Sequence, residues 1–197
     1  MAGDWKSVPM PPGIAALPRV NGMPIPFVTS WGKDPESVAY RRETGLTVEC
    51  ACTPGQGRPF IRSQCPERQR RCAQEALCSV CGTALTEEDP RVLAGVPLPE
   101  SVWYMEAPAH ATCMAYALQV CPHLVGAAGP DLPITLSPAV LTCEGRERRH
   151  SGGEYLVAVS RYDRAARALP LRFVLSSPVL PQHMSRERFL KTYAFPG

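Results

Sequence analysis

Four residues in two short segments have the types and spacing of a metal centre. "LCSVCGTAL", residues 77–85, carries Cys78 and Cys81 with Gly82 directly behind them, and "HATC" carries His110 and Cys113. Three thiolates and one imidazole make a tetrahedral donor set suited to zinc. A Cys-x-x-Cys turn aims both sulfurs at one point, and Gly82 can take the positive φ that such a turn often needs. The protein would fill all four positions and leave none for an activated water, so the centre is expected to be structural rather than catalytic. The competing account is a group of buried thiols beside an unrelated histidine. A redox pair of the thioredoxin type is disfavoured, because no βαβ pattern surrounds Cys78 and Cys81.

The elements that would position these ligands follow from the flanking residues. Pro108 opens a helix over "PAHATCMAYALQVC" that Pro122 stops. His110 and Cys113 then share one face near its start, where the positive end of the helix favours thiolates. The roughly thirty residues between the two halves have room for a hairpin. "RVLAGVPLPESVWYMEA" predicts two short strands around a turn. Turn, hairpin and helix in that order resemble the treble-clef zinc fold. Upstream, "LTVECAC" predicts a strand, "TPGQGRP" a turn, and Pro66 the first turn of a helix reaching about Leu77.

Five further cysteines are open in role. Cys50 and Cys52 alternate on a predicted strand, so their side chains share a face; with Cys65 and Cys72 they form a possible second metal site. Cys121 lies about 12 Å along the helix from Cys113 at the helical rise, too far to share its ion. It is a buried thiol or, with His123, a donor to another metal. Cys143 and His150 flank "EGRERR", which is expected to be a solvated loop.

The totals bound the rest. The chain has 197 residues, is 45% hydrophobic and 20% charged, and carries 22 prolines; this predicts a loop-rich globular fold with short elements. The formal net charge of +3 permits an anionic partner without demanding one. No secretory signal or apolar run of membrane-spanning length is visible, so a cytoplasmic, reducing setting is expected, in which cysteines serve as metal ligands or buried thiols. The expected fold class is α+β: an extended proline-rich arm over 1–45, a zinc-binding core over 46–125 and a β-rich region over 126–197. "EYLVAVSRYD" and "LPLRFVLSS" are expected to pair as a hairpin across "RAARA", and "SRERFLKTY" to form a last helix.

Three blocks, "LPRVNGMPIPFVTSW", "ALCSVCGTAL" and "EAPAHATCMAYALQVCPHL", together resemble a group of uncharacterised zinc-site proteins from actinobacteria and their phages. The resemblance covers about 45 residues in conserved order. It implies Cys78, Cys81, His110 and Cys113 as ligands and an actinobacterial or phage source, and it implies no activity.

Three classes of function are in contention. A zinc-stabilised binding protein could contact nucleic acid through Arg68, Arg70 and Arg71 beside the metal turn and through Arg146, Arg148 and Arg149. A phage structural or host-interaction protein would instead contact a protein partner. A treble-clef nuclease is the weakest, since residues 86–106 contain no histidine to act as base, and His150 and His183 lack a companion motif. The His-x-Glu of zinc deaminases, glycine-rich phosphate loops and nucleophile elbows are also absent. No small-molecule substrate is evident.

Overall fold

A computed structural model describes residues 5–32, 36–122, 124, 133–150 and 153–196. The fold is mixed α+β and mostly strand, with four α-helices among the described residues. The strands are β1 (Arg19–Val20), β2 (Met23–Pro24), β3 (Thr29–Trp31), β4 (Glu36–Arg41), β5 (Gly45–Cys50), β6 (Pro59–Gln64), β7 (Arg91–Ala94), β8 (Ile134–Ser137), β9 (Ala139–His150), β10 (Gly153–Val159), β11 (Leu171–Val179) and β12 (Gln182–Met184). The helices are α1 (Pro12–Ala15), α2 (Pro66–Gln74), α3 (Ala111–Val120) and α4 (Arg186–Tyr193).

The largest sheet has the order β10-β9-β11-β5-β4, and the next has the order β12-β8-β7. Pairing is antiparallel except between β11 and β5. Strands from all three sequence regions therefore share one sheet, and boundaries at 45 and 125 would cut through it. The arm is correspondingly less extended than its prolines suggest. It forms α1 and the short pair β1-β2, adds β3 to β6 of the next region, and buries Ile14, Ile25 and Trp31 to 2% exposure or less.

The expected hairpin between β10 and β11 is corrected by the topology: β9 lies between them and pairs with both. The segment "CEGRERRH" is thus a central strand rather than a solvated loop. Its buried positions hide the usual apolar signal. Gly145 packs so closely that an added Cβ would lie 2.9 Å from the Leu175 side chain. Arg146 beside it is 0% exposed. The hairpin expected after the Cys78 turn is also reduced. β7 pairs with β8, and its contact with the returning chain is a single bridge, Val92 to Ala109, with N–H···O distances of 3.2 and 2.9 Å.

α2 lies against β11 and β5, and α3 against α4 and β7. Gln69, 0% exposed, clasps α2 to the sheet: its amide donates to the Met105 and Val174 carbonyls and accepts from the Val174 N–H. The apolar core gathers Ile14, Val92, Leu118, Ile134 and Phe189 around Cys78, Cys81 and Cys113. Among the described residues no helix is long and apolar enough to cross a membrane.

Candidate metal centres

The Cys78 turn is built by a short ladder. Leu77 and Ala84 form a bridge, the Cys78 N–H donates to Thr83 O at 2.8 Å, and the Gly82 N–H donates to Cys78 O at 2.8 Å. Gly82 takes φ +77°, and the Phe27 ring lies where a side chain would go. The arm secures the turn from outside, with the Phe27 and Val28 N–H groups donating to Val80 O and Ser79 O. α1 closes over it; a Cβ at Gly13 would sit 3.2 Å from the Cys81 sulfur. Neither contact was legible beforehand, since both require a backbone from a distant segment to approach a sulfur or a turn.

His110 is the N-cap of α3, and Cys113 lies in its first turn. The donor atoms of Cys78, Cys81, His110 and Cys113 all lie within 4.8 Å of one another. His110 Nδ1 is 3.5 Å from the Cys81 sulfur and 3.9 Å from that of Cys113. Zinc–sulfur and zinc–nitrogen bonds of about 2.3 and 2.0 Å at tetrahedral angles predict a sulfur–nitrogen edge of about 3.5 Å. The group has the dimensions of a tetrahedral metal site. The other ring nitrogen, Nε2, is 3.1 Å from Ala84 O and 3.7 Å from Asp89 Oδ2. Donation from Nε2 to that carbonyl leaves the Nδ1 lone pair facing the sulfurs, the tautomer a metal needs.

Crowding perturbs the protonation of Cys81, His110 and Cys113. Hydrogen bonds from Cys113 and Cys78 hold Cys81 far below the ordinary thiol range. Hydrogen bonding to Cys78 and Cys81 raises His110 to about 10, and the same two partners, with burial, raise Cys113. A cation among them replaces those protons, and the residues present fit zinc.

A second group comprises Cys50, Cys52 and Cys65. Cys72, expected with them, is elsewhere: it is 1% exposed beside the first centre, its sulfur 3.9 Å from the Cys78 carbonyl. Burial, then the neighbouring Cys78, pushes its thiol up to about 12. The reason is helical geometry. Cys72 lies seven positions along α2 from its N-cap Cys65, about 10 Å of axial rise. Cys121 caps the C-terminal end of α3 apart from both groups, and Cys143 lies half-buried on β9. His123 and the side chain of His150 are outside the described residues. None of the nine cysteines forms a disulfide.

The six arginines considered as phosphate contacts divide sharply. Arg68 is 7% exposed and donates to the carbonyls of Phe27, Thr29 and Cys52. Arg146 donates to those of Thr44, Leu46 and Leu169 and pairs with Glu144 at 2.6 Å. Both hold the fold together and are not surface contacts, which corrects their assignment. Arg70 is half-buried with a bond to Arg172 O, and Arg71 is exposed but paired with Glu75. Arg148 is exposed, and the Arg149 side chain is outside the described residues. Comparison with known proteins finds no match: no family model, curated protein or solved structure matches this chain.

Proposed function

We propose that the chain is a non-enzymatic binding protein whose core is a treble-clef-like unit closed by a structural zinc at Cys78, Cys81, His110 and Cys113, and that its partner is a protein. The observation that carries the scaffold is the closed set of four donors, spaced for a tetrahedral ion and embedded in apolar core. With every position taken by protein, the ion supplies folding energy and no reaction site. Among the described residues no histidine stands free over the centre as a base; His183 is at 3.1 Å from the Thr135 hydroxyl in another sheet.

Two observations favour a protein over a nucleic acid. Arg68 and Arg146 are withdrawn from the surface, which removes the first member of each arginine cluster. Strand β4 ends the large sheet and exposes Val38 and Tyr40, at 55% and 72%. An open strand edge with apolar side chains suits addition of a partner's strand.

The test titrates zinc-loaded protein against labelled duplex and single-stranded DNA and RNA over a range of salt, with product analysis for strand cleavage. We expect weak retention that disappears by physiological salt and no cleavage. Tight binding with a steep salt slope would overturn the protein-partner assignment, and zinc-site-dependent cleavage would overturn the non-enzymatic one.

A further inference from the structure

Away from the Cys78 centre, three separated positions bring thiols together. Cys50 ends β5, Cys52 follows in the loop, and Cys65 is the N-cap of the nine-residue helix α2. Their sulfurs lie within 4.8 Å of one another. Cys50 and Cys65 are 5% and 1% exposed, and Cys52 is half-buried. Among the described residues, no fourth histidine, cysteine or carboxylate belongs to the group.

Arg68 gives this cluster a direction. Its guanidinium is always charged, and a buried charge needs compensation. Among the described residues it forms no ion pair with Asp or Glu. Besides three carbonyls it touches one group able to carry a formal negative charge, the Cys52 sulfur at 3.0 Å. The surroundings also favour anionic sulfur. Cys65 sits at the positive end of α2. Backbone hydrogen bonding from Cys52, Trp31 and Arg68 favours the thiolate at Cys50, Cys52 and Cys65 respectively.

We propose that Cys50, Cys52 and Cys65 form a second site for zinc or a like thiophilic divalent ion, with three thiolates and one oxygen donor, and that Arg68 neutralises the site. The charges close: three thiolates and a divalent ion sum to −1, and the guanidinium brings the total to zero. Three thiol protons pass to solvent as three sulfur–metal bonds form. α2 is then strung between two centres, with a ligand of the second at its N-terminus and the Cys78 turn of the first just beyond its end. The proposal is independent of the function assigned above.

The experiment reconstitutes reduced chain with Zn2+ for metal analysis and with 113Cd2+ for NMR. Two ions per chain are expected. Two cadmium resonances are also expected, one characteristic of three sulfurs and a nitrogen, the other of three sulfurs and an oxygen. Cys52→Ser should remove the second resonance and keep the first. Arg68→Met should weaken the second site alone, by about 10–100-fold, as outer contacts to metal ligands do. If either variant fails to fold, the wild-type resonances still decide. Absence of a three-sulfur, one-oxygen resonance, or its survival in folded Cys52→Ser, overturns the site; unchanged affinity in folded Arg68→Met overturns the role of the arginine.

Discussion

Replacing Arg146 by methionine separates a structural arginine from a phosphate contact. Methionine fills most of the aliphatic volume, so what is lost is charge and hydrogen bonding. Three backbone carbonyls, of Thr44, Leu169 and Leu46, lose donors at 2.6, 2.6 and 3.4 Å. Glu144, with a side chain 15% exposed, loses its counter-charge. Removing one partner of a buried pair costs about 3–5 kcal/mol, the stranded acceptors included. In a chain of this size each kcal/mol moves the melting temperature by about 2–4 °C, so a fall on the order of 10 °C is expected. Thermal unfolding followed by far-UV circular dichroism measures the fall, and urea unfolding the free-energy loss. Adding Glu144→Gln should recover part of the loss, about 1–3 kcal/mol, because the unpaired carboxylate disappears. Arg148→Met, at an exposed position of the same strand, should stay within about 0.5 kcal/mol of the parent. If Arg146→Met and Arg148→Met unfolded alike while DNA retention fell only in the former, the buried bridge would be refuted.

Four other outcomes are expected. His110→Ala should lower the zinc content by one ion per chain and destabilise by several kcal/mol, given structural-zinc energies of about 10–16 kcal/mol; unchanged zinc and melting would disprove the centre. Gly82→Ala should cost about 2–4 kcal/mol, since it combines a positive φ with a Cβ 2.7 Å from the Phe27 ring, and chemical denaturation reads this directly. Cys143, raised to about 11 by burial and then by Glu144, should react with iodoacetamide at neutral pH far more slowly than a free thiol, and Cys143→Ser should leave metal content unchanged. Burial holds the half-buried Glu106 above the ordinary glutamate range. Its favourable contribution is therefore complete below its unfolded pKa and is lost as pH rises through the folded value. Glu106→Gln should gain stability over the parent on going from acid to neutral pH, and urea midpoints that shift equally at both would contradict this.

Some of this protein is local chemistry and is legible in one dimension. Cys78, Cys81 and Gly82 specify a turn, and Pro108 with His110 and Cys113 specifies a helix start, because two or three neighbouring residues set each geometry. The mixed α+β class, α2, α3, α4 and β5 follow likewise from proline placement and apolar spacing. What local pattern could not decide is which distant segments meet. β9 reads as a polar loop because its buried positions hold a glycine packed on Leu175 and an arginine bonded to carbonyls from elsewhere. Arg68 and Arg146 look like surface charges for the same reason: their partners lie in other segments, Phe27 and Thr29 for one, Thr44 and Leu169 for the other. Cys72 has the composition of a ligand for Cys50, Cys52 and Cys65, but a rigid helix carries it to the other centre. Residue type and spacing determine what a side chain can bond; only the closing of the sheet over α2 determines what is there to be bonded.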